Sequence, residues 1–340
     1  MSKILATMKP YSERRNRTPL RDFVPLTQPL TLLIDPTGGC NFKCPFCPTG
    51  SKKTDASSRV IMKLDMFKSI IDGCAEFPQK IKSLSLVIHG EPTLNKNLPD
   101  MVKYAKRSGM FEHIETSTNG YLLTEETTRN LIDAGLDTLR FSIYGTDNSG
   151  YNMVTENSDA FDIVARNVAD FFLMKQKMRP TLHVHCKIID TNLTESQRKM
   201  FIETFSPIAD SIYIDSIMGW SGSSDADFTL GLNPTTGMSG SRLVKDRVVC
   251  PQPFYQLAVS ANGEVSPCCV DWNHDLTIGN ASEQSMVAIW NSPRANEFRR
   301  AHLRGERGGI PTCRDCQFMQ GLPTDADLDA ERTRLLAYYL

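Results

Sequence analysis

The sequence predicts an α/β fold, a partial (β/α)6 barrel of the TIM type followed by a small C-terminal α+β domain. Six short apolar segments alternate with amphipathic helices between residue 31 and about 217, which is the pattern of a parallel sheet covered by helices. A stretch rich in glycine and serine follows, and beyond it come a hairpin sequence and further helices. At 340 residues the chain exceeds a typical single domain, so one large and one smaller domain are expected.

The apolar segments predict the strands and their inner faces. The predicted strands are 31–35, 83–89, 112–118, 138–144, 182–189 and 211–217. Apolar residues at i, i+3, i+4 and i+7 predict helices over 67–74, 98–105 and 161–168, and Thr124 and Gly135 mark the start and end of another. Alternation along the fifth strand directs His183, His185, Lys187 and Ile189 toward the lumen of the barrel. Active sites of such barrels lie at the C-terminal ends of the strands.

The predicted organisation has five parts. These are an N-terminal tail (1–30), the barrel (31–218), a linker or lid (219–245), the small domain (246–322) and a C-terminal helix (323–340). The linker carries Trp220, Phe228 and Leu230, which would suit a lid, although an inert connector is the favoured interpretation.

Composition and charge narrow the class of protein. A formal net charge of −1 gives no signature of binding to nucleic acid or to a membrane surface. The arginines at 14, 15, 17 and 21 are expected to lie in a solvated segment. No signal peptide or membrane-spanning run is recognisable, so a cytoplasmic location is expected. In such a reducing compartment, ten cysteines indicate metal sites before disulfides.

Three of these cysteines stand close together directly after the first strand. Cys40, Cys44 and Cys47 follow the spacing Cys-x3-Cys-x2-Cys. Thiolates select zinc or iron–sulfur clusters, and three of them lack the fourth local ligand of a closed zinc site. A cubane cluster held by three cysteines keeps one iron open for a cofactor or substrate. The spacing therefore favours a catalytic 4Fe–4S cluster, with zinc as the alternative.

The same residues resemble the signature of the radical S-adenosylmethionine (SAM) superfamily, Cys-x3-Cys-x-aromatic-Cys, with Phe46 in the aromatic place. The resemblance implies a 4Fe–4S cluster on the three cysteines and SAM bound to its open iron. Reductive cleavage of SAM would then give a 5′-deoxyadenosyl radical that abstracts hydrogen from an unreactive C–H bond. A reductant such as flavodoxin or ferredoxin would supply the electron.

A second motif follows the second predicted strand. Gly90-Glu91-Pro92 resembles the Gly-Gly-Glu-Pro motif of the superfamily, with His89 in place of the first glycine. The resemblance implies that Glu91 and the backbone of Gly90 bind the ammonium group of SAM.

Further positions match the superfamily in order along the chain. Asn119 and Ser142 match places that hold the ribose and carboxylate of SAM, and Ile189 falls where an apolar residue lines the adenine. Relatives often bind the carboxylate through an arginine after strand four, which this sequence lacks. Lys187 or Arg166 would have to take that role.

Four later cysteines form a second set: Cys250, Cys268, Cys313 and Cys316. A predicted hairpin around Asn262-Gly263 would bring the first two close together, and the Cys-x2-Cys pair would close the site. On donor chemistry alone, zinc and an iron–sulfur cluster fit equally well. The pattern resembles the twitch or SPASM extension of radical SAM enzymes, which implies one auxiliary 4Fe–4S cluster on these four residues. Cys269 is expected to be a spare packed thiol.

A second, fully ligated cluster could accept an electron. Such an acceptor favours the two-electron oxidation of a secondary alcohol in a sugar or cyclitol. The arrangement of clusters is similar to that of the scyllo-inosamine dehydrogenases. Each hydroxyl of such a substrate needs a polar partner in the cavity. The candidate bases are Asp271, His185 and Lys187.

Three alternatives stay open on the sequence. A peptide-modifying maturase is disfavoured because the thirty residues before the first strand are too few to fold a recognition domain. A redox-neutral epimerase, dehydratase or decarboxylase acting on a sugar would use the auxiliary cluster only to organise its substrate. A non-catalytic zinc-binding module would use neither cluster.

Overall fold

Among the residues that the structure describes, ten strands form one mixed sheet, in the order β1-β7-β6-β5-β4-β3-β2-β8-β9-β10. The computed structural model describes residues 5–11, 18–51, 60–222, 227–234, 236–237 and 240–339. Arg14, Arg15 and Arg17 of the predicted solvated segment lie outside these residues. The strands are β1 (Thr7–Met8), β2 (Thr31–Ile34), β3 (Ser83–Ser85), β4 (Ile114–Thr118), β5 (Thr138–Ile143), β6 (His183–Asp190), β7 (Ser211–Ser216), β8 (Gln256–Val259), β9 (Glu264–Ser266) and β10 (Gly279–Asn280).

Helices cover the sheet as the apolar periodicity predicts. They are α1 (Pro48–Ser51), α2 (Leu64–Gly73), α3 (Leu98–Ser108), α4 (Glu125–Ala134), α5 (Asn148–Thr155), α6 (Ala160–Met178), α7 (Glu195–Phe205), α8 (Met286–Trp290), α9 (Pro293–Arg304), α10 (Pro311–Arg314) and α11 (Arg332–Leu336). Thr124 caps α4 by accepting the N–H of Thr127 at 3.1 Å, and Gly135 ends it with φ of 95°. None of the described helices is long and apolar enough to cross a membrane.

Strands β2 to β7 are parallel and form the partial barrel, which confirms the predicted fold class. Their bounds match the predicted strands closely except at β3, which ends at Ser85 instead of continuing to residue 89. The carboxylate of Asp35 accepts the backbone N–H groups of Ile88 at 3.3 Å, His89 at 3.0 Å and Gly90 at 3.4 Å. Because these three N–H groups donate to a side chain, they cannot pair with a neighbouring strand, and β3 ends before them.

The small domain continues the barrel sheet. Strand β8 pairs in parallel with β2, and β9 and β10 add antiparallel strands beyond it. The hairpin between β8 and β9 turns at Gly263, whose φ of 89° suits glycine. The predicted small domain therefore shares one sheet with the predicted barrel, and the boundary between residues 245 and 246 stays a prediction.

Both ends of the chain differ from the prediction. The predicted tail contains β1, which pairs in parallel with β7, and two residues are too few to be recognised as a strand from sequence. At the other end, the predicted helix over 323–340 is divided into two 3-10 helices, Thr324–Ala326 and Asp329–Glu331, and α11. The Asp327 side chain accepts the N–H of Asp329 at 2.8 Å, and this local bond interrupts the helix between the two 3-10 segments.

Candidate active site and auxiliary cluster site

The first three cysteines lie on the loop between β2 and α1 and line one cavity of about 210 Å³. The backbone N–H of Phe42 donates to the sulfur of Cys40 at 3.4 Å. Burial raises the pKa of Cys40 to about 12, so binding a metal cluster must displace protons from these thiols. Three thiols on a shared cavity fit a cubane with one open iron.

Among the described residues, no three His, Cys, Asp or Glu side chains converge closely enough to hold a single metal ion. The ligands of a cubane differ from those of a single ion, because each cysteine binds a different iron atom. Their sulfur atoms therefore face a shared space and do not converge on one point.

Glu91 lies in the same cavity, and the residue is 3% exposed. Oε1 accepts the hydroxyls of Thr93 and Thr118, each at 2.6 Å, and Oε2 accepts the N–H of Asn119 at 2.7 Å. Burial raises the pKa of Glu91, which these hydrogen bonds oppose. With one hydrogen bond on Oε2, the carboxylate keeps acceptor capacity for an ammonium group.

Gly90 lies where two loops touch. A Cβ added there would be 1.9 Å from the carbonyl oxygen of Thr37 and 2.7 Å from that of Gly39, so only glycine fits. The N–H of Glu91 donates to the carbonyl of Gly39 at 2.8 Å, and the carboxylate of Asp35 accepts the backbone N–H groups of His89 and Gly90. The loop carrying Glu91 is therefore fixed against the cysteine loop.

The other predicted SAM contacts, Phe46, Asn119, Ser142 and Ile189, line this cavity too. The ring of Phe46 stacks on Tyr144 with centroids 6.1 Å apart. Asn119 donates to the side chain of Asn41 at 2.8 Å, which joins the end of β4 to the cysteine loop. The structure thus brings all six predicted SAM contacts together, and their individual roles stay predictions.

Lys187 is the one predicted base that lines the cavity, and its amine lies 3.5 Å from the carboxylate of Asp215. Arg166, the other residue considered for the SAM carboxylate, is exposed on α6 and does not line the cavity. Lys187 is therefore the better placed of the two for an anionic or hydroxyl group.

The structure corrects the expectation for His185. This residue is third in β6 and 1% exposed, and its Nδ1 lies 2.8 Å from the hydroxyl of Ser211. Its ring packs against Tyr11, with centroids 5.5 Å apart, at the closed end of the barrel. Lys187 and Ile189 follow on the same strand face and do reach the cavity, because alternate residues share a face but lie successively nearer the open end.

Asp271 is corrected as well. Its carboxylate accepts the N–H of Asp275 at 3.0 Å, the N–H of Leu276 at 2.9 Å and the hydroxyl of Ser266 at 3.0 Å. It is 1% exposed and lines neither of the two cysteine cavities. Asp271 thus stabilises the turn that follows it, which is a common role of aspartate side chains.

Sequence reasoning missed the aromatic wall of the cavity. Trp272 lines it, and its ring stacks on His89 with centroids 4.2 Å apart. Trp220 lines it as well and donates its indole N–H to the carbonyl of Phe46 at 2.8 Å. The position of Trp272, three residues beyond the Cys268-Cys269 pair, was the available signal. The start of the predicted linker is thus built into the site, and its lid function stays a prediction.

The second set of cysteines, Cys250, Cys268, Cys313 and Cys316, lines a separate cavity. The backbone N–H of Val270 donates to the sulfur of Cys268 at 3.4 Å. Burial raises the pKa of all four thiols, and mutual repulsion between their thiolates adds to it. Four thiols around one enclosed space fit a closed iron–sulfur cluster.

Cys269 does not line this cavity. Its sulfur instead accepts a hydrogen bond from the side-chain amide of Gln252 at 3.3 Å. This arrangement favours the predicted role of a packed thiol.

Family comparisons agree with both sites. The model of the radical SAM superfamily matches residues 34–177, and that of SPASM, an iron–sulfur cluster-binding domain, matches residues 250–317. The chain therefore carries a radical SAM domain followed by a SPASM domain. It is a radical SAM enzyme whose cofactors are SAM with its 4Fe–4S cluster and an auxiliary iron–sulfur cluster, and this assignment replaces the alternative of a non-catalytic zinc module.

Relatives of this radical SAM enzyme differ in their reactions. The chain is 25% identical over 326 residues to a tungsten-containing aldehyde ferredoxin oxidoreductase cofactor-modifying protein of Pyrococcus furiosus, covering 84% of this chain and 86% of that protein. It is 22% identical over 289 residues to the S-adenosyl-L-methionine-dependent 2-deoxy-scyllo-inosamine dehydrogenase of Niallia circulans, covering 83% and 90%. The crystal structure of BtrN with AdoMet and 2-DOIA has the same fold, with a TM-score of 0.54, 19% identity and coverage of 87% and 96%.

Proposed function

We propose that this radical SAM enzyme oxidises a secondary alcohol of a sugar or cyclitol by two electrons, with the auxiliary cluster as electron acceptor. One observation carries the proposal: the two cysteine cavities are joined by a stacked pair of rings. Trp220 lines the first cavity and Phe318 the second, and their rings stack with centroids 5.8 Å apart and planes 20° from parallel. A substrate in the first cavity would thus be separated from the auxiliary cluster by little more than side chains.

When bound, SAM and its cluster supply a radical that takes a hydrogen atom from carbon. Oxidation of a secondary alcohol to a ketone further releases the hydroxyl proton and one electron. We assign the proton to a relay in which the Lys187 amine, which lines the cavity, takes the hydroxyl proton as it passes one of its own to the Asp215 carboxylate 3.5 Å away. The cluster that Cys250, Cys268, Cys313 and Cys316 would hold in the second cavity would accept the electron.

The lining of the cavity supports a polar ring as substrate. Ser117 and Ser142 line it, with their hydroxyl oxygens 3.4 Å apart, and Trp220 and Trp272 add flat apolar surface. Hydroxyl and amine groups can bind the hydroxyls of a cyclitol, while aromatic rings pack on its C–H faces. The 2-deoxy-scyllo-inosamine dehydrogenase among the relatives is named for a substrate of this kind.

The test is a product analysis under anaerobic conditions. Reconstituted enzyme is incubated with SAM, a reductant and a panel of cyclitols and amino sugars. The proposal expects a ketone product with one SAM consumed per turnover. A redox-neutral product, regenerated SAM, or modification of a peptide and none of the polyols would overturn it.

The base assignment has its own control. Lys187→Met removes the amine that lines the cavity, whereas Lys82→Met removes an exposed lysine paired with Glu112 at 2.5 Å on the surface. We expect only the first to reduce kcat measured at saturating SAM. Equal kcat in both variants would remove Lys187 as the base while leaving the oxidation in place.

A second candidate function is the modification of an organic cofactor precursor. It is favoured by the similarity to the cofactor-modifying protein of Pyrococcus furiosus, which has the higher identity of the two relatives described above. Candidate cofactor precursors in the same substrate panel would distinguish it from polyol oxidation.

A further inference from the structure

Three buried polar side chains around the auxiliary cavity each have an atom without a hydrogen-bond partner among the described residues. They are Nε2 of His302, Oγ1 of Thr312 and Oε1 of Gln252, in side chains that line the cavity with the four cysteines. The residues are 1%, 2% and 2% exposed, respectively. An unpaired buried polar group costs about 1–3 kcal/mol. For the two that can donate, His302 and Thr312, the grouping around one cavity indicates that its occupant supplies the missing acceptors.

His302 presents a hydrogen-bond donor to this cavity. The backbone N–H of Cys250 donates to its Nδ1 at 3.4 Å, so Nδ1 acts as the acceptor and the ring proton lies on Nε2. Direct ligation of iron through Nε2 would need a lone pair that this tautomer does not offer. The ring is held in place on α9 by Phe298, with centroids 4.8 Å apart.

Thr312 presents a second donor. It precedes the ligand Cys313 on α10, and its own carbonyl accepts the N–H of Gly222 at 2.9 Å. Its backbone is thereby anchored while the hydroxyl is left to rotate toward an acceptor. Gln252 differs from both, since its amide N–H already donates to Cys269 and its unpaired atom is an acceptor. The two donors are therefore His302 and Thr312.

We propose that His302 and Thr312 donate hydrogen bonds to sulfur atoms of the auxiliary cluster and raise its reduction potential. A reduced cluster carries one more negative charge, so donors aimed at its sulfur atoms stabilise the reduced form more than the oxidised form. The role given to this potential rests on the proposed function, in which the auxiliary cluster accepts the electron of substrate oxidation. The hydrogen bonds themselves do not depend on the substrate.

The experiment is a redox titration of the reconstituted holoenzyme followed by electron paramagnetic resonance. SAM perturbs the signal of its own cluster, which identifies the auxiliary signal as the unperturbed one. Thr312→Val removes the hydroxyl at nearly constant volume, and His302→Phe removes the ring N–H. For each we expect the equilibrium between reduced and oxidised cluster to shift about tenfold toward the oxidised form, which for one electron lowers the midpoint potential by about 59 mV.

Two controls separate this effect from a loss of structure. Thr146→Val removes another buried hydroxyl that lacks a partner but does not line the cavity, and we expect no shift. His302→Gln retains a side-chain donor and is expected to restore part of the potential. In the apoprotein Thr312→Val should cost no stability, because the hydroxyl has no partner there.

Unchanged potentials in both Thr312→Val and His302→Phe would overturn the proposal. The result is independent of the reaction catalysed, because the titration needs no substrate. If no alcohol is oxidised but the potential falls, the proposed function fails and the hydrogen bonds stand. If alcohols are oxidised and the potential is unmoved, the reverse holds.

Discussion

Replacing Gly90 by alanine tests how tightly the two SAM-site loops are packed. The added Cβ would lie 1.9 Å from the carbonyl oxygen of Thr37, 2.7 Å from that of Gly39 and 2.8 Å from the carbonyl carbon of Thr37. All three are backbone atoms, and the chain around them is held by the bond from Glu91 N–H to Gly39 and by the bridge between Thr37 and Ile61. The overlap must therefore move a loop.

Overpacking of a well-packed site costs about 1–3 kcal/mol, and a clash with fixed backbone belongs at or above the upper end. A loss of about 3 kcal/mol lowers the ratio of folded to unfolded protein by about a hundredfold, since each 1.4 kcal/mol is about tenfold. Urea denaturation of the apoprotein measures this loss, and calorimetry on the reconstituted enzyme measures the accompanying loss of SAM binding.

Gly308→Ala is the matched control, since a Cβ there meets no atom within 4 Å. We expect its free energy of unfolding to stay within about 0.5 kcal/mol of the parent protein. If Gly90→Ala and Gly308→Ala unfold at the same urea concentration, the close contact between the two loops is refuted.

Three further predictions concern single side chains. Glu91→Gln removes the negative charge available to the SAM ammonium and should weaken SAM binding about tenfold or more by calorimetry, with iron content retained; unaltered affinity would contradict the assignment. Cys268→Ser should lose the auxiliary cluster, while the adjacent Cys269→Ser should keep it, as iron and sulfide analysis will show; equal losses would make Cys269 a ligand. Burial raises the pKa of Asp35 from 3.8 to about 7, so its contribution to stability is complete below pH 3.8 and is lost as the pH rises through about 7. Relative to Asp35→Asn, the parent apoprotein should therefore lose stability in urea between about pH 4 and pH 7, and a difference constant with pH would refute this.

Local sequence patterns predict much of the barrel. Apolar runs and their spacing predict β2 to β7 and the helices between them, since one face of each element must be buried. The clustered cysteines and the Gly90-Glu91 turn predict the cavity, because the C-terminal ends of parallel strands meet at one edge.

Contacts between distant segments were not predictable in the same way. The pairing of β8 with β2 joins residues more than two hundred positions apart, and no local pattern specifies it. Strand β1 has too few residues to show a period.

The predictions of His185 and Asp271 as catalytic bases failed for the same reason. Sequence shows that His185 and Asp271 are polar and lie near the right elements, but not which neighbour satisfies them. His185 lies beside Ser211 and Tyr11, and Asp271 accepts the N–H groups of its own turn. A buried polar side chain usually finds such a partner, so a catalytic role has to be read from the cavity and not from the residue type.

The most direct test of the central claim follows one hydrogen atom. Enzyme reduced under anaerobic conditions is given SAM and a cyclitol deuterated at the carbon that bears the reacting hydroxyl, and the 5′-deoxyadenosine formed is analysed by mass spectrometry. We expect one deuterium in 5′-deoxyadenosine and an equal amount of ketone. Deoxyadenosine without deuterium for every polyol tested, or deuterium transfer without a ketone, would contradict the proposed oxidation.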